Sequence, residues 1–383
     1  MPSTNHFDYV IIGNGLAGLQ LALQLSSDSF FDNKQVLLID KSDKNSNDKT
    51  WCFWEKHTGK WDHIVYRTWD KAMFHTSKTA LKLSLSPYKY KMIRSIDFYK
   101  DAKSILSKKA NFHFVLGDVI DINENDLVTI QTKDNFYTAN HVFDSRIDST
   151  FFNKKDNYII INQHFKGWTI ETDSDVFDPD RFTMMDYRIK DGNQTTFTYI
   201  LPFSTKKALV EFTYFTPQIV DDSTYDVYLK KYILDILKIE DYTITEVETG
   251  NIPMTNFPFQ THSTKHITKI GTAGGWVKGS TGYSFKHTEK KVLKIIKNLK
   301  RNKLPSKGLY NKRYAFYDKV FLRVLQDEND KGEWIFEKFY TKNSVETMFE
   351  FLDEETSFYN DLKIMNALFS FSFIKAFFKT LLF

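Results

Sequence analysis

The stretch that decides the fold runs from an apolar segment through a glycine loop into a helical pattern: Phe7-Asp8-Tyr9-Val10-Ile11-Ile12-Gly13-Asn14-Gly15-Leu16-Ala17-Gly18. The apolar half predicts a buried strand, and the residues after the loop predict a helix that continues to position 25. A second apolar run at 35–39 predicts the next strand, which ends at Asp40. This order of strand, glycine loop, helix, strand and acid is the fingerprint of a dinucleotide-binding unit, with an ordinary glycine-rich turn as the alternative.

The glycine loop also predicts where such a ligand would be held. A helix N-terminus presents free N–H groups and the positive end of its dipole, and both suit a pyrophosphate. Asp40, at the end of the second strand, is expected to accept hydrogen bonds from ribose hydroxyls. The residues predicted to bind the cofactor in this part of the chain are Gly13, Gly15, Leu16, Ala17, Gly18 and Asp40.

A second glycine cluster lies far downstream. Of the 15 glycines in the chain, three lie in the first loop and five lie between positions 271 and 282. Glycine is needed where the backbone adopts positive φ or approaches a ligand closely. The two clusters therefore suggest one extended ligand held from both ends of the chain. Backbone N–H groups at Gly274 and Gly275 are predicted to approach its phosphate or ring, with a structural loop as the alternative.

The charge balance and the cysteine content limit the partners and the cysteine chemistry to be expected of this chain. The 383 residues include 52 basic and 48 acidic side chains, a formal net charge of +4, and the lysines are spread along the chain. Without a basic block, nucleic acid is not expected as a partner. The single cysteine, Cys52, excludes an intramolecular disulfide and a thiolate metal cluster. It predicts a packed side chain in a reducing compartment rather than a nucleophile.

Aromatic residues are abundant, and the C-terminal segment is mostly apolar. The 35 Phe, 20 Tyr and 7 Trp residues can line a long apolar cavity. Segment 367–383 contains two spaced lysines, Lys375 and Lys379. It can lie in a membrane interface with the lysines reaching headgroups, or dock as a terminal helix on the core. Without an export signal or an apolar stretch long enough to span a bilayer, we expect a cytoplasmic protein associated peripherally with the cytoplasmic membrane.

Strand and helix patterns divide the chain into interleaved parts. Positions 1–150 and 265–300 are predicted to form a discontinuous nucleotide-binding domain, because a strand at 141–146 returns to the first unit and a strand at 265–270 runs directly into the second glycine cluster. Positions 151–264 are predicted to form a β-rich substrate domain, and 301–383 a helical region. This interleaving resembles flavoprotein architecture more than a simple nicotinamide dehydrogenase. The predicted fold is therefore α/β, with a Rossmann-like nucleotide-binding domain, an interleaved β-sheet substrate domain and C-terminal helices.

Several more specific motifs occur in order along the chain. They are Gly13-Asn14-Gly15-Leu16-Ala17-Gly18, Asn47-Asp48-Lys49-Thr50-Trp51-Cys52-Phe53-Trp54-Glu55, Gln163-His164-Phe165-Lys166-Gly167-Trp168, Met184-Met185-Asp186-Tyr187-Arg188, Gly271-Thr272-Ala273-Gly274-Gly275 and Ser280-Thr281-Gly282-Tyr283-Ser284-Phe285. Together they resemble the flavin-dependent lycopene cyclases, and most closely the bacterial lycopene β-cyclases. The resemblance covers nearly the whole chain, from near Phe7 to the C-terminal helices.

The resemblance implies a fold, a cofactor, an electron source and a substrate. The fold would be α/β, a Rossmann-like FAD-binding domain of the flavoprotein monooxygenase type with an interleaved β-sheet substrate domain and C-terminal helices. The cofactor would be FAD, kept in its reduced form by soluble NAD(P)H. The substrate would be lycopene, and the product β-carotene, formed by way of the one-ring intermediate γ-carotene. The reaction would be an isomerisation without net redox change.

Cyclisation of a polyene end requires a proton on an unactivated alkene carbon. Because an alkene is a very poor base, the donor must be a neutral acid in a dry pocket, and a carboxyl group with a pKa raised by burial suits this. The cation that results needs water excluded and negative charge nearby, which a reduced flavin could supply. Whether the flavin or the carboxyl group donates the proton is left open by the sequence.

Glu211 is the best candidate for the acid. Its segment resembles the family strand that carries a Leu-Glu-Glu-Thr type motif, and Glu211 matches the first acid of that motif. Phe212 replaces the second acid, so Glu211 would act alone or with a distant partner. Val210 and Phe212 would face the opposite side of the strand. The alternative is a glutamate that faces solvent.

Other candidates have weaker support. Asp186, among methionine and tyrosine, is the second candidate acid, with an ion pair to Arg188 as the alternative. Glu55 can line the pocket or lie on the surface. The motif at 351–356 spells a similar acidic sequence but is expected to be a solvated helix start or turn. No metal site is expected, because His262 and His266 precede a strand without a third ligand.

Two further functions remain open from the sequence. A monooxygenase or reductase that uses FAD and NAD(P)H on an apolar polyene would have the same scaffold. A non-catalytic carotenoid-binding protein could also keep the fold, and the Phe212 departure is the feature that favours it. NAD(P)H consumption in proportion to product would distinguish the redox enzymes from a cyclase.

Overall fold

The computed structural model describes residues 5–153 and 158–382. The strands are β1 (His6–Ile12), β2 (Val36–Asp40), β3 (Thr50–Glu55), β4 (Arg67–Trp69), β5 (Lys71–His75), β6 (Ala80–Ser84), β7 (Lys89–Arg94), β8 (Phe112–Leu116), β9 (Val119–Glu124), β10 (Val128–Thr132), β11 (Phe136–Asp144), β12 (Ile160–Glu171), β13 (Arg181–Asp186), β14 (Thr196–Pro202), β15 (Lys207–Thr216), β16 (Thr243–Thr255) and β17 (Ile267–Lys269). The helices are α1 (Leu16–Ser26), α2 (Ser95–Leu106), α3 (Asp222–Asp235), α4 (Phe285–Leu299), α5 (Lys312–Asp327), α6 (Gly332–Lys342), α7 (Val345–Leu352), α8 (Phe358–Ala367) and α9 (Phe371–Leu382).

The first sheet contains the predicted nucleotide-binding unit. Its strand order is β8-β2-β1-β11-β10-β9, and β1 runs parallel to both β2 and β11. The long strand β11 has two neighbours on one side: its first half pairs with β10 and its last residues pair with β17. All five residues of β2 are buried, as expected for a parallel strand covered on both faces. Helix α1 packs against α4, so segments from both ends of the chain complete this unit.

The second sheet provides one wall of the cavity that also borders the glycine loop. Its strand order is β16-β12-β15-β14-β13-β5-β6. Along β15, alternate residues Val210, Phe212 and Tyr214 pack in the apolar core under α3. The residues between them, Glu211 and Thr213, therefore point to the other face. This confirms the predicted alternation around Glu211.

The domain boundary at position 150 needs one correction. Strands β5 and β6 precede that boundary, yet they belong to the second sheet, because β5 pairs in parallel with β13. The alternating pattern of this segment predicts strands correctly, but it contains no information about which sheet they join. The strands of a small third sheet, in the order β3-β7-β4, flank β5 and β6 in sequence.

The C-terminal helices cover the second sheet. Helix α5 contacts β12, β15 and β16, and α9 packs on α5. Within the described ranges 5–153 and 158–382, we find no helix with both the length and the apolar character that crossing a bilayer requires.

Candidate active site

A cavity of about 480 Å³ lies between the glycine loop and the second sheet. At one end it is bordered by the first turn of α1, and at the other by aromatic side chains of α6, among them Phe336 and Tyr340. Its long wall is formed by β12, β15 and β16. The cavity therefore joins a nucleotide-binding loop to an apolar chamber.

Close packing explains the glycines of the first loop. Gly13 adopts φ +100°, and a Cβ added at Gly18 would lie 2.0 Å from the carbonyl oxygen of Gly13. A Cβ at Gly15 would meet nothing within 4 Å, so this position faces open space. The first-turn N–H groups of a helix have no intrahelical partner, and here that turn borders the cavity. The predicted residues that line it are Gly13, Gly15, Leu16, Ala17 and Gly18.

Asp40 supports the loop from behind. Its carboxylate accepts hydrogen bonds from the backbone N–H of Asn14 at 2.6 Å and of Ser42 at 2.8 Å. Lys44 lies 3.6 Å from the same group. Both carboxylate oxygens thus hold the backbone around the loop, and the ribose contact predicted for Asp40 stays a prediction. Lys44, Asp48 and Lys49 are charged side chains that border the cavity at this end.

The second glycine cluster meets the first. Gly271 adopts φ +60°, and a Cβ at this position would lie 3.2 Å from the Cβ of Ala17. Gly271 and Thr272 line the same cavity as the first loop. Gly274 and Gly275 instead border a second cleft on the other side of the segment. A Cβ at Gly274 would lie 2.4 Å from the backbone oxygen of Lys269, so local packing explains that glycine.

Two glutamates meet on the wall of the cavity. On the central strand β12, Gly167 is paired with Glu211 of β15 on one side and with Glu248 of β16 on the other. A Cβ at Gly167 would lie 3.2 Å from Cγ of Glu248 and 3.4 Å from Cβ of Glu211. The missing side chain therefore leaves room for the two carboxyl groups to approach each other across the strand.

Both glutamates are held in place by threonine hydroxyls. Thr213 donates to Oε1 of Glu211 at 2.7 Å, and Thr50 donates to Oε2 of Glu248 at 2.7 Å. The two carboxyl groups also interact, since each shifts the pKa of the other. Glu211 is buried, with 8% of its surface exposed, and Glu248 is half-buried.

Burial raises the pKa of Glu211 well above its ordinary value, and the charge of Glu248 raises it further. Burial also raises the pKa of Glu248, and the contacts with Thr50 and Glu211 offset only part of this increase. The pKa of Glu211 is raised the more strongly of the two, so Glu211 is the member of the pair that more readily holds a proton. Sequence reasoning allowed Glu211 a distant partner but missed Glu248, because only the register of the sheet brings the two together.

Apolar and phenolic groups surround the pair. Met184, Phe197 and Phe215 line the chamber, and the hydroxyl of Tyr90 is 2.8 Å from those of both Tyr199 and Tyr283. Nearby, burial raises the pKa of the Cys52 thiol to about 12. This thiol stays protonated at neutral pH and is a poor nucleophile, as predicted for a packed cysteine.

Comparison with protein families gives a match to the lycopene cyclase protein family over residues 8–377. This chain belongs to the lycopene cyclase family. A comparison with curated proteins gives no significant match.

Solved structures with a similar fold are distant in sequence from this lycopene cyclase family member. A geranylgeranyl bacteriochlorophyll reductase-like protein from Thermoplasma acidophilum has a TM-score of 0.64 and 12% identity, with 99% of this chain and 100% of that chain covered. The flavin-dependent brominase Bmp2 has a TM-score of 0.57 and 13% identity, with 94% of each chain covered. The halogenase PltM in complex with phloroglucinol and FAD has a TM-score of 0.55 and 10% identity, with 97% of this chain and 85% of that chain covered. The predicted Rossmann-like fold of the flavoprotein type is thus confirmed.

Asp186, the second candidate acid, does not line the cavity that contains Glu211. Asp186 is fully buried, where it accepts hydrogen bonds from Nε of Arg188 at 2.9 Å and from the hydroxyl of Tyr232 at 2.5 Å. Tyr232 belongs to α3, on the face of the sheet away from Glu211. The structure thus shows the ion pair with Arg188 that was the alternative for Asp186. Asp186 does not lie beside Glu211.

Two other acids are also placed by the structure. Glu55 pairs with Lys91 at 3.0 Å and with Lys286 at 2.6 Å, a structural ion-pair cluster. Asp353 was expected to be solvated, but it is buried and accepts a hydrogen bond from Nε1 of Trp54 at 2.9 Å. Burial raises the pKa of Asp353 to about 6. The expectation was wrong for this residue because the aromatic motif near position 54 folds over it.

Proposed function

We propose that this chain is a lycopene β-cyclase that converts lycopene to β-carotene through γ-carotene, with reduced FAD bound and no net redox change. The observation that carries the proposal is the Glu211–Glu248 pair on the wall of a cavity that continues from the glycine loop. Membership in the lycopene cyclase family supports lycopene as the substrate. A buried neutral carboxyl group is the kind of acid that protonation of an alkene requires.

The residues around the glycine loop fit FAD. Gly15 faces open space and α1 points its N-terminus at the cavity, which suits a pyrophosphate. Gln163 Oε1 and Thr281 Oγ1 line the cavity and are buried without a hydrogen-bond partner in the described structure. These two atoms can form hydrogen bonds with the polar edge of the flavin ring. When bound, reduced FAD would supply negative charge beside a developing cation, and NAD(P)H is proposed as the soluble source that keeps it reduced.

The two glutamates can carry out both proton transfers. Glu211 gives its proton to the terminal double bond of the polyene, which leaves a tertiary carbocation. The neighbouring double bond attacks that centre and closes the ring, so that the positive charge moves onto the ring. One carboxylate of the pair then removes an adjacent ring proton and restores a double bond. One proton is added and one is lost, so the sum is an isomerisation.

The surrounding side chains protect the cation. Glu211 and Glu248 are both ionised after the first proton transfer, and their charge stabilises the positive centre in a site of low dielectric. Aromatic faces such as Phe197, Phe215 and Tyr199 add cation–π attraction. The apolar lining excludes the water that would otherwise trap the cation as an alcohol.

A single assay tests the function. Purified protein with reduced FAD, lipid vesicles and lycopene under anaerobic conditions is expected to form the two-ringed product, measured by chromatography. Pyridine nucleotide should not be consumed in proportion to product. Stoichiometric consumption would instead identify a reductase or monooxygenase. Flavin-loaded protein that binds lycopene but returns it unchanged would identify a carotenoid-binding protein and contradict the proposal.

Membrane contact is the proposed route to this substrate. Helix α9 buries Ala376 and Thr380, while Phe371 and Leu382 are 80% and 75% exposed. The helix thus docks on the core by one face and leaves the other apolar. We define the C-terminal apolar surface by the exposed side chains Phe358, Tyr359, Leu362, Phe369, Phe371, Phe378, Leu381 and Leu382. Such a patch, with Lys375 exposed beside it, suits the interface of the cytoplasmic membrane.

Replacing Phe371 and Leu382 together by serine is expected to lower vesicle binding at least about tenfold, because each large apolar side chain contributes roughly 1.5–3 kcal/mol when buried. Flotation with phospholipid vesicles measures the bound fraction. The control is Ile120→Ser, since Ile120 is 58% exposed on β9 of the first sheet and should leave binding unchanged. Equal binding of wild type and double variant would contradict the membrane proposal.

A further inference from the structure

A second cleft lies behind the loop that follows the second glycine cluster. Its volume is about 1200 Å³, and it is bordered by the loop at 274–279 and by residues of α4, α5 and α9. Thr272, Trp276 and Val277 line both this cleft and the candidate active-site cavity, as does Pro253 of β16. These residues lie between the two spaces. Cyclisation as proposed above makes no use of the second cleft.

Positive charge dominates the lining of the cleft. The lining cations in the described residues are Lys269, Lys278, Lys291, Lys312, Lys319, Arg323 and Lys379, and the lining carboxylates are Asp318 and Glu354. Concave surfaces of one sign of charge concentrate counter-ions of the opposite sign. The excess of cations thus points to an anionic ligand.

Some of these cations already have partners. Lys278 forms ion pairs with both lining carboxylates, with Asp318 at 2.7 Å and with Glu354 at 3.6 Å. Lys269 and Lys379 pair at 2.8 Å and 2.7 Å with acids outside the cleft, Asp144 and Asp327 respectively. These contacts neutralise the lining carboxylates.

The remaining cations are not matched by acids. Within 5–153 and 158–382, Lys291, Lys312, Lys319 and Arg323 make no ion pair with a carboxylate, and the ammonium group of Lys291 reaches only the backbone oxygen of Leu309 at 2.7 Å. Burial lowers the pKa of Lys319, and the neighbouring charge of Arg323 lowers it further. Burial is also the main reason that the pKa of Lys291 is lowered. A bound anion would relieve this repulsion.

Hydrogen-bond donors without a partner lie in the same cleft. Nε of Arg323, Nε1 of Trp276 and Oγ1 of Thr380 are buried without a hydrogen-bond partner in the described part of the chain. A buried donor without a partner is costly and is usually satisfied by water or by a ligand. Cations and unpaired donors therefore converge on one space.

We propose that this cleft binds a phosphate-bearing ligand, with Lys319 and Arg323 as its main contacts. Phosphate oxygens accept several hydrogen bonds at once and carry the charge that the lining lacks. Phe259 and Phe316 also line the cleft and can pack against a base or an acyl chain attached to the phosphate. The site is independent of the cyclisation chemistry, so its test needs no turnover.

Titration calorimetry of the FAD-saturated protein with inorganic pyrophosphate at low ionic strength tests the site. Wild-type protein is expected to bind. Arg323→Gln and Lys319→Gln should each weaken binding about tenfold, the usual effect of losing one charge-assisted hydrogen bond. The control Lys133→Gln removes an exposed lysine from the turn after β10 and should leave binding unchanged. Absence of binding, or equal binding by wild type and both cleft variants, would overturn the proposal.

Two further probes identify the source of the phosphate. Displacement of pyrophosphate by NADPH would assign the cleft to a soluble dinucleotide. Displacement by phosphatidylglycerol vesicles, but not by phosphatidylcholine vesicles, would assign it to an anionic lipid headgroup. In either case Arg323→Gln should lose the displacing interaction, whereas Lys133→Gln should keep it. Pyrophosphate that binds as expected but is displaced by neither probe would still support a phosphate site and would restrict it to small free phosphates.

Discussion

Replacing Glu211 by glutamine is expected to reduce ring formation by about 1,000-fold or more, within the range attributed to a general acid, while the fold and flavin binding persist. Glutamine keeps the size of the side chain and can still accept the hydrogen bond from Thr213. It cannot donate a proton to an alkene. Product chromatography under anaerobic, flavin-reduced conditions measures the loss, and flavin absorbance of the purified variant shows that the site is intact.

The matched control for this variant is Glu171→Gln. Glu171 lies at the end of β12 and pairs with Lys207 on the surface, where more than half of its side chain is exposed. The Glu171→Gln variant should therefore retain wild-type activity. Wild-type product formation by Glu211→Gln would show that another group, such as the flavin, donates the proton.

Replacing Glu248 by glutamine is expected to have a smaller but distinctive effect. Loss of the second carboxylate should lower the turnover rate by roughly 100-fold, since one partner in proton transfer and cation stabilisation is removed. The charge of Glu248 contributes to the raised pKa of Glu211, so the pKa of Glu211 should fall in the variant. Glu211 works in its protonated form, and activity is lost as pH rises through its pKa. The alkaline limb of the pH–rate profile should therefore move to lower pH.

The pH profile distinguishes this role from simple support of the sheet. Glu246→Gln is the control, because Glu246 lies on the same strand but bonds to Arg94 at 3.0 Å and to Asn47 at 3.0 Å. It should leave the alkaline limb close to that of the wild type. A Glu248→Gln variant with lower activity but an unmoved limb would contradict the coupling of the two carboxyl groups.

Some of the site was predictable because the interactions involved are local or regular. Period-two alternation correctly placed Glu211 on the face opposite Val210 and Phe212. The same alternation does not distinguish a catalytic role for Asp186 from an ion pair, because it contains no information about which helix covers each face of the sheet. Tyr232 of α3 and Arg188 satisfy Asp186 in the structure, and neither contact follows from the pattern around it.

The second glycine cluster shows where pattern reasoning stops. Its meeting with the first loop was predicted, and Gly271 does lie against Ala17. The choice of Gly274 and Gly275 as the cofactor contacts rested on their sequence alone. Which side of a loop faces a cavity depends on the turn that the loop makes, and here that turn directs them to the second cleft.

The amino-acid sequence by itself determined the strand–glycine–helix–strand unit, the fold class and the family of this protein. Those signals are carried by neighbouring residues, whose spacing and steric demands suffice to specify a βαβ unit. Only the tertiary structure decided that Glu211 and Glu248 form a pair. Their strands lie on either side of β12 and meet over Gly167, and this register is set by the packing of the whole sheet rather than by the residues around either acid.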